Sequence, residues 1–339
     1  MARQYNLVPR HPHHAEARSE RIATDTAVRE SISALQKQYR YEPRAFCGQP
    51  LIVWDHPEGL QVCDARGDKR LARSFGILTT NIGYSRKEVK DTDDADAPRQ
   101  LLTTHCFPRG ICACLANRLA MLIPELQTKT ILLTTGSEAV AYAIKLRRTH
   151  GIKVGGPLKA HHDFFQESVS RPPTKLGADQ LYLRGERVDR YMDPGYVQMP
   201  FPDGFGTGRS SFKWLEKCPA DLGVKPDNVA GLILKPNQGG STSFASPAYM
   251  QALRQWCDRH NVRLICHKVQ AGFGLTGTSW GFVHYEVVPD LACFGKGIGT
   301  CLPLAAVAGG PPRQTCTCRA ARPRRTPVSG PSGGDPCLH

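Results

Sequence analysis

Lys296 is the residue whose type and setting most favour covalent chemistry. It follows an apolar run at residues 290–294, and glycines flank it in the order Phe-Gly-Lys-Gly-Ile-Gly. Glycines beside a side chain let a flat ligand approach the backbone. A buried amine with a lowered pKa is what Schiff-base formation requires. Taken alone, the same pattern also fits a lysine whose ammonium group reaches solvent along an apolar surface.

Gly136 and Ser137 are a second candidate, because they lie between an apolar run at residues 130–134 and a helical pattern. A Gly-Ser pair at a strand-to-helix turn offers free backbone N–H groups at the positive end of a helix. Such a turn is a binding place for a phosphate group. Many α/β turns contain Gly-Ser, so the motif is weak on its own.

The elements that must position these residues are short strands and amphipathic helices. Apolar runs alternate with helical patterns between residues 46 and 310, which is typical of α/β proteins with a mostly parallel sheet. We predict buried strands at residues 130–134, 229–234, 262–266, 290–294 and 305–308.

Two helices have clear boundary signals. The first begins at Gly136 and should end at about His150, with Gly151 just beyond it. Its inward face should carry Ala139, Ala143 and Leu146. The second should begin at Pro247, directly after the cap residue Ser246. Its inward residues are predicted to be Tyr249, Met250, Leu253, Trp256 and Cys257.

Three segments follow one another in a characteristic order: TTGSEAVAYAIKLRR around Gly136, VQAGFGLTG around Gln270, and PDLACFGKGIGTCLPLAAVAG around Lys296. Upstream of them, GLQVCDARGDKRLARSFGILTTNIGY and YMDPGYVQMPFPDGF extend the pattern. Over about residues 50–310 the chain resembles the class III aminotransferases, in particular the diaminobutyrate- and 4-aminobutyrate-type members. The first upstream segment matches the family's N-terminal hairpin at Gly59, Asp64, Gly67, Asn81 and Gly83. The resemblance implies a fold-type-I large domain, an α/β fold with a mostly parallel sheet and helices on both faces.

The resemblance also implies pyridoxal 5'-phosphate as the cofactor, held by Lys296 as a Schiff base. Gly136 and Ser137 would bind its phosphate, and Gln270 would reach the ring hydroxyl. His161 falls where the family has an aromatic residue that stacks on the ring. The implied reaction transfers an amino group from a primary amine or amino acid to a 2-oxo acid, within a homodimer of the family type.

Several positions depart from the family's pattern. His267 and Lys268 replace an Asp-Glu pair whose Asp bonds to the ring nitrogen and keeps it protonated. A carboxylate about 4 Å away is worth about 4 kcal/mol at an effective dielectric near 20, which a histidine does not supply. Lys235 replaces an acidic residue that often adjusts substrate charge, Leu275 replaces an arginine, and Glu286 replaces a glycine. We therefore expect an impaired activity, with His267 as the residue beside the cofactor's ring nitrogen.

Two other functions stay open. The first is a non-catalytic protein of the same fold, or the product of a gene remnant, that binds only the cofactor or a partner. The second is a basic nucleic-acid-binding or scaffold protein, because the net charge is +14. The basic residues form no recognised RNA- or DNA-binding motif, which favours a solvated basic surface and no nucleic acid. Thirteen cysteines at irregular spacings lack the paired pattern of a zinc site, so we expect no metal.

Composition divides the chain into three parts. Residues 1–45 are polar with a helical pattern at about residues 26–39, and residues 46–310 are the large domain with its N-terminal hairpin. Residues 311–339 are rich in Pro, Gly, Arg and Ser and cannot bury a core, so we expect them to be disordered. They read like translation in a shifted frame, which predicts that the family's C-terminal small domain is missing. The polar N-terminus and the absence of an apolar run of about 20 residues predict a cytoplasmic protein without a membrane span.

Overall fold

The computed structural model describes residues 14–17, 20–23, 29–42, 52–73, 75–96, 107–123, 129–160, 162–167, 195–202, 212–221, 223–237 and 244–310. These residues form two compact units. The first unit holds the described residues up to Ile77 together with Ile82–Asp93, and the second holds Leu78–Asn81 and those from Asp94 onward. The predicted tail at residues 311–339 lies outside the described residues, and the boundaries predicted after residues 45 and 310 stay predictions.

The first unit begins with two short strands and an amphipathic helix. Strands β1 (His14–Ala17) and β2 (Glu20–Ala23) pair as an antiparallel hairpin. Helix α1 (Arg29–Tyr41) follows, close to the helical pattern predicted at about residues 26–39. It buries Leu35, which forms the centre of a small apolar cluster.

Three further strands of the first unit form an antiparallel sheet. They are β3 (Trp54–Glu58), β4 (Gln61–Asp64) and β5 (Lys69–Leu71). The buried carboxylate of Asp64 accepts hydrogen bonds of 3.0 and 2.8 Å from the guanidinium of Arg70, which ties the turn between β4 and β5. The hairpin segment that resembles the family is therefore a small antiparallel sheet. The chain leaves it through a short turn, α2 (Phe75–Leu78), and helix α3 (Lys87–Asp96).

The second unit is organised around a sheet with seven strands in the described part of the chain. They are β6 (Lys129–Leu133), β7 (His162–Glu167), β8 (Tyr196–Pro200), β9 (Val229–Leu234), β10 (Arg263–His267), β11 (Leu291–Phe294) and β12 (Ala305–Gly309). Across the sheet their order is β6-β12-β11-β10-β9-β7-β8. Strand β12 is antiparallel to both of its neighbours, and the other pairings are parallel. Four of the six pairings are therefore parallel, and β12 makes the sheet only partly parallel.

Helices pack against both faces of this sheet. They are α4 (Gly110–Leu122), α5 (Gly136–Gly155), α6 (Phe212–Asp221) and α7 (Pro247–Arg259). Successive residues of a strand point to opposite faces. In β9, Ile233 accordingly joins a cluster with α5, whereas Leu232 and Leu234 join a cluster with α7. No helix in the described ranges is long and apolar enough to cross a membrane.

The end and the inward face of α5 differ from the prediction. The helix continues through Gly151 to Gly155, and a Cβ on Gly151 would lie 3.2 Å from the carbonyl oxygen of Lys159. Leu146 is 38% exposed, so its assignment to the inward face was wrong. Arg147, four residues beyond Ala143, takes that position and is only 1% exposed.

Helix α7 confirms its prediction. Oγ of Ser246 accepts a 3.2 Å hydrogen bond from the amide of Tyr249, and Pro247 is the first helical residue. The five residues predicted to face inward are all buried. Strand β9 has the predicted bounds, whereas β6 and β10 are each shifted by one residue.

Candidate active site

The carboxyl ends of β6, β9, β10 and β11 lie at one edge of the sheet, which we call the carboxyl edge. Ligands of open α/β sheets bind outside such edges. Lys235 directly follows β9, His267 ends β10, and Lys296 lies two residues beyond β11. Because Leu234 pairs with Cys266, Lys235 and His267 are level with each other on neighbouring strands. The structure thus brings the predicted lysine and the predicted ring-nitrogen partner to the same edge.

Three loops at this edge pack without room for side chains. A Cβ on Gly136 would lie 2.6 Å from Cγ1 of Val269. A Cβ on Gly295 would lie 3.0 Å from the same atom and 3.3 Å from Cα of Gly136. On the other side of Lys296, a Cβ on Gly297 would lie 2.6 Å from Nδ2 of Asn81. The loop that carries Lys296 is therefore packed between the start of α5 on one side and Asn81 on the other. Only glycine fits at positions 295 and 297, because any side chain there would collide with these neighbours.

Lys296 is half-buried, and its backbone is in the left-handed region with φ of 50°. This conformation costs a non-glycine residue about 1 kcal/mol or more, and such strain concentrates at functional sites. Burial lowers the pKa of the amine to about 8, and the positive charge of Lys235 adds to the effect. An appreciable fraction of the amine is therefore neutral near pH 7.

Helix α5 begins with a capping box that leaves two amides available. Oγ1 of Thr135 accepts a 3.2 Å hydrogen bond from the amide of Glu138. The carboxylate of Glu138 accepts from the amides of Thr134 and Thr135, at 3.0 and 2.8 Å. The amides of Gly136 and Ser137 belong to the first turn and have no acceptor within the helix. They are the N–H groups with which the positive helix end can bind an anionic group.

His267 holds a buried ring nitrogen at the carboxyl edge. Its Nδ1 atom has no hydrogen-bond partner in the described part of the chain. Burial lowers the pKa of the imidazole well below its usual value, and the charges of Lys235, Lys268 and Lys296 lower it further. The ring is therefore neutral near pH 7. Gln270, half-buried, lies in the turn that follows β10.

Lys268 belongs to a buried network that the sequence did not indicate. Its Nζ atom donates a 2.7 Å hydrogen bond to Oδ1 of Asn237. Nδ2 of Asn237 donates to the hydroxyl of Tyr285 at 3.2 Å, and that hydroxyl donates to the carbonyl of Pro236 at 3.0 Å. Burial lowers the pKa of Lys268 to about 8. The partners lie 31 and 17 residues away along the chain, so no local pattern could have revealed them.

Asn81 is a second residue whose role sequence reasoning missed. Its Nδ2 atom donates to the carbonyl oxygen of Gly272 at 3.0 Å. Through this hydrogen bond and its contact with Gly297, Asn81 joins the loop after β10 to the loop that carries Lys296. The sequence offered a signal only in the match of Asn81 to the family's hairpin.

Three buried cysteines of the second unit, Cys257, Cys266 and Cys293, contribute apolar volume to its core. Burial raises the pKa of Cys257 to about 12 and that of Cys266 to about 11, so both stay protonated and unreactive at neutral pH. Among the described residues, no group of three or more His, Cys, Asp or Glu side chains could hold a metal ion.

Comparison with known proteins connects this geometry to one family. Residues 191–314 match the family described as Aminotransferase class-III. The chain is 30% identical to taurine–pyruvate aminotransferase of Bilophila wadsworthia, over 72% of this chain and 55% of that protein. It is 29% identical to 4-aminobutyrate aminotransferase of Escherichia coli, over 81% of this chain and 64% of that protein. The chain resembles class-III aminotransferases.

Solved structures agree at the level of the fold. Acetylornithine aminotransferase from Elizabethkingia anophelis aligns with a TM-score of 0.67 at 21% identity, over 84% of this chain and 66% of that one. An amine transaminase from an uncultivated Pseudomonas species, solved in its PLP-bound form, aligns with a TM-score of 0.67 at 25% identity. That alignment covers 76% of this chain and 61% of the other. The mixed α/β fold is thus that of fold-type-I aminotransferases.

The remaining departures from the class-III aminotransferase pattern have different structural settings. Leu275 is 37% exposed in the loop after β10. Glu286 is exposed and adopts the left-handed conformation with φ of 55°, which glycine adopts without strain. His161 was expected at the position where the family has an aromatic residue that stacks on the cofactor's ring. It lies outside the described residues.

Proposed function

We propose that the chain binds pyridoxal 5'-phosphate at the carboxyl edge, with Lys296 as the covalent anchor. The activity that we propose is the transfer of an amino group from a primary amine or amino acid to a 2-oxo acid. The observation that carries this proposal is the half-buried amine of Lys296, whose pKa is about 8, on a loop packed against Gly136 at the start of α5. An amine and an anion-binding helix end are thereby held next to each other.

The residues present fit this cofactor in three ways. Gly136 and Ser137 offer two amides at a positive helix end, where a phosphate group is stabilised. The buried Nδ1 atom of His267 would gain a hydrogen-bond partner in a ring nitrogen. The half-buried amine of Lys296, on the loop packed against Gly136, would bond to the cofactor's aldehyde carbon. Gln270 is the residue that we assign to the ring hydroxyl.

Lys296 would carry the proton in the reaction. When bound, pyridoxal phosphate supplies a conjugated ring that accepts the electron pair left when the amino donor loses its α-proton. Nζ of Lys296 would take that proton and return it to the product. With a pKa of about 8, roughly a tenth of the amine is neutral at pH 7, compared with about four in ten thousand for an ordinary lysine. Burial and the charge of Lys235 therefore raise the fraction of the Lys296 amine that is neutral and can accept a proton.

His267 would limit the rate. A neutral imidazole can exchange a hydrogen bond with the ring nitrogen, but it supplies no negative charge to keep that nitrogen protonated. A carboxylate at about 4 Å would contribute about 4 kcal/mol at an effective dielectric near 20. We therefore propose that this chain turns over slowly unless other groups supply that charge.

Lys235 would influence which donors are accepted. Its positive charge acts on both Lys296 and His267, so it lies close to the reacting amine. Taurine and 4-aminobutyrate, which appear in the names of the relatives, each carry a primary amine and an anionic group. A cation near the reacting centre favours donors of this kind.

Cofactor capture tests the proposed function directly. The purified chain mixed with pyridoxal phosphate should develop a visible absorbance band, and borohydride should fix a pyridoxyl group on the peptide that contains Lys296. Lys296→Ala should lose both signals, whereas Lys145→Ala, at an exposed position of α5, should keep them. If Lys296→Ala keeps the same band, the anchor is a different residue.

A second candidate function is cofactor binding without turnover. It is favoured by the neutral His267 between Lys235 and Lys268, since this setting opposes a protonated ring nitrogen. Single-turnover measurements with 4-aminobutyrate separate the two candidates. Cofactor bound without any amino transfer would support the second.

A further inference from the structure

Asn81 and the start of α5 contact the Lys296 loop at the two residues that flank the lysine. A Cβ built on Gly297 would lie 2.6 Å from Nδ2 of Asn81 and 3.1 Å from its Cγ, so the side-chain amide packs directly on the backbone of the residue after Lys296. The residue before it packs against α5, since a Cβ on Gly295 would lie 3.3 Å from Cα of Gly136. Lys296 is therefore held through both of its neighbours in the chain.

Asn81 is itself tied to the loop that follows β10. Its Nδ2 atom donates hydrogen bonds of 3.0 and 3.4 Å to the carbonyl oxygens of Gly272 and Phe273. Because both partners are acceptors, the nitrogen of the amide must face this loop. The ring of Phe273 packs edge-on against those of Trp280 and Phe294, with centroids 4.8 and 5.8 Å away. The loop after β10 is thus anchored in the core, and Asn81 links that anchor to the loop of the lysine.

The backbone of Lys296 needs such a hold. Its φ of 50° lies in the left-handed region, which is strained for a residue with a side chain. A strained conformation of this kind persists only where the surrounding contacts impose it. The same contacts determine the direction in which the lysine side chain leaves the loop. Without the contact at Gly297, the backbone of Lys296 would be free to relax and its amine to move towards solvent.

The amide of Asn81 is poorly suited to a purely stabilising role. Its Oδ1 atom is buried and has no hydrogen-bond partner in the described part of the chain. Leaving a buried polar atom unsatisfied lowers the free energy of unfolding, which offsets what the hydrogen bonds of Nδ2 contribute. The side chain is therefore better explained by what it positions than by what it stabilises.

We propose that Asn81 is a positioning residue for Lys296. Through its contact with the next residue and its hydrogen bonds to the loop after β10, it holds the lysine in its strained conformation, with the amine close enough to Lys235 and His267 for their charges to interact. This role rests on the proposed function, in which Lys296 is the covalent anchor. The ionisation of the amine can nevertheless be measured without any cofactor, so the two proposals can fail separately.

Reductive methylation measures this ionisation in the cofactor-free chain. Formaldehyde with cyanoborohydride modifies neutral amines, so the pH dependence of labelling of the Lys296 peptide reports the pKa of its amine. In the unchanged chain the pKa should be about 8, because burial and then the charge of Lys235 lower it. In Asn81→Ala the amine should gain solvent, and its pKa should rise by about one unit or more towards 10.5. The neutral fraction at pH 7 should then fall about tenfold or more.

Lys159→Met is the matched control for a general loss of stability. Nζ of Lys159 donates hydrogen bonds of 3.0 and 2.9 Å to the carbonyl oxygens of Asp227 and His260, which precede β9 and β10 at the opposite edge of the sheet. The variant should lower the free energy of unfolding without moving the pKa of Lys296. Circular dichroism should show that this variant and Asn81→Ala both stay folded.

A second variant disturbs the same contact from the Lys296 loop. Gly297→Ala places a methyl group against Nδ2 of Asn81, in a backbone conformation that alanine can adopt. The collision should displace the loop and also raise the pKa of Lys296. In the double variant with Asn81→Ala the collision is gone, so the pKa should rise no further than it does in Asn81→Ala alone.

Three outcomes would overturn the proposal. An unchanged pKa of Lys296 in Asn81→Ala would mean that Asn81 does not position the amine, and an equal rise in Lys159→Met would mean that any loosening of the fold has this effect. Additive shifts from Asn81→Ala and Gly297→Ala would mean that the two residues act separately. If the expected shifts appear but the unchanged chain captures no pyridoxal phosphate, the proposed function is wrong and the role of Asn81 stands.

Discussion

The buried amine of Lys268 donates a 2.7 Å hydrogen bond to Oδ1 of Asn237. Tyr285 extends this contact into a network that ends at the carbonyl of Pro236. The network satisfies polar atoms, but it offers the ammonium group no carboxylate. Burial accordingly lowers the pKa of Lys268 from 10.5 to about 8.

This lowered pKa predicts that the contribution of Lys268 to stability grows in mild alkali. Between pH 8 and pH 10.5 the unfolded chain holds the Lys268 proton and the folded chain releases it, so the part of the free energy of unfolding that comes from Lys268 rises with pH. The buried thiols of Cys257 and Cys266 act in the opposite direction above about pH 9, because they ionise only in the unfolded chain. The full gain from Lys268 is about 3 kcal/mol, and Lys296, which is only half-buried, should add a smaller gain over the same window. Urea unfolding at a series of pH values from 7 to about 10.5 measures how the free energy of unfolding depends on pH.

Lys268→Met separates the two lysines. The variant removes one titrating amine, so the slope of stability against pH should be lower than that of the unchanged chain by up to about 1.4 kcal/mol per pH unit, while the contributions of Lys296 and of the buried thiols remain. Lys145→Met, at an exposed position of α5, should leave the slope unchanged. An unchanged slope in Lys268→Met would mean that this amine titrates in the folded chain as it does in the unfolded one.

A methyl group at the start of α5 should disturb the Lys296 loop. Gly136→Ala would place its Cβ 2.6 Å from Cγ1 of Val269, so the loop after β10 must shift. Overpacking of this kind costs about 1–3 kcal/mol. We expect a lower free energy of unfolding and weaker capture of pyridoxal phosphate, measured by urea unfolding and by absorbance titration.

Val269 provides the matched rescue. In the double variant Gly136→Ala with Val269→Ala, the colliding methyl groups are gone, and the double-mutant cycle should show a favourable interaction of about 1 kcal/mol or more. Gly110→Ala is the control, because a Cβ there meets nothing within 4 Å. Gly110 lies in α4, where alanine has a higher helix propensity than glycine and should not lower the free energy of unfolding. Additive effects at Gly136 and Val269 would contradict the packing argument.

Local sequence patterns predicted the strands and helices whose boundaries and buried residues are determined by neighbouring residues in the sequence. Strand β9 reads VAGLIL and is buried throughout, and α7 has its cap at Ser246 and its proline one residue later. Lys296 was also found from its own neighbours, because glycines on both sides of a lysine after an apolar run are unusual. Its immediate sequence thus identified the residue that the structure brings to the carboxyl edge.

Other features depend on residues that meet only in the folded chain. The inward position of Arg147 requires the missing side chain of Gly231, which lies on a strand 84 residues further along. Leu146 was therefore a reasonable but wrong choice, since apolarity favours it at that turn of α5. The antiparallel direction of β12 depends on the path of the chain between residues 295 and 304, which hydrophobic periodicity does not encode.

Glu286 should be replaceable by glycine with a gain in stability. A glutamate in the left-handed conformation is strained by about 1–2 kcal/mol, and glycine removes this strain from the folded chain. Part of the gain is offset because glycine has more conformational freedom in the unfolded chain. Glu286→Gly should therefore raise the free energy of unfolding by about 0.5–1 kcal/mol. Glu286→Ala removes the carboxylate but keeps the strained backbone, so it should give no gain. An equal gain in both variants would point to the charge of Glu286 as the cause.

The surface around α4 should mediate self-association. Phe107, Ile111, Met121 and Leu122 lie on or beside α4 and are all exposed, and a contiguous apolar patch formed by such residues would be an interaction site. We expect the purified chain to form a dimer by light scattering, and Ile111→Glu with Met121→Glu to shift it towards the monomer. Leu158→Glu, at an exposed apolar residue outside α4, should leave the mass unchanged.

The exchange of His267 for aspartate tests why this chain would be a slow aminotransferase. A ring nitrogen that keeps its proton accepts electrons readily, and a carboxylate at about 4 Å favours that proton by about 4 kcal/mol, or about a thousandfold in rate. Lys235, level with His267, would share the new charge, so we expect a gain of tenfold or more in single-turnover rate with the cofactor bound in both proteins. His267→Asn, similar in size to aspartate but uncharged, should give no gain. Equal rates for all three at full cofactor occupancy would exclude the ring-nitrogen argument.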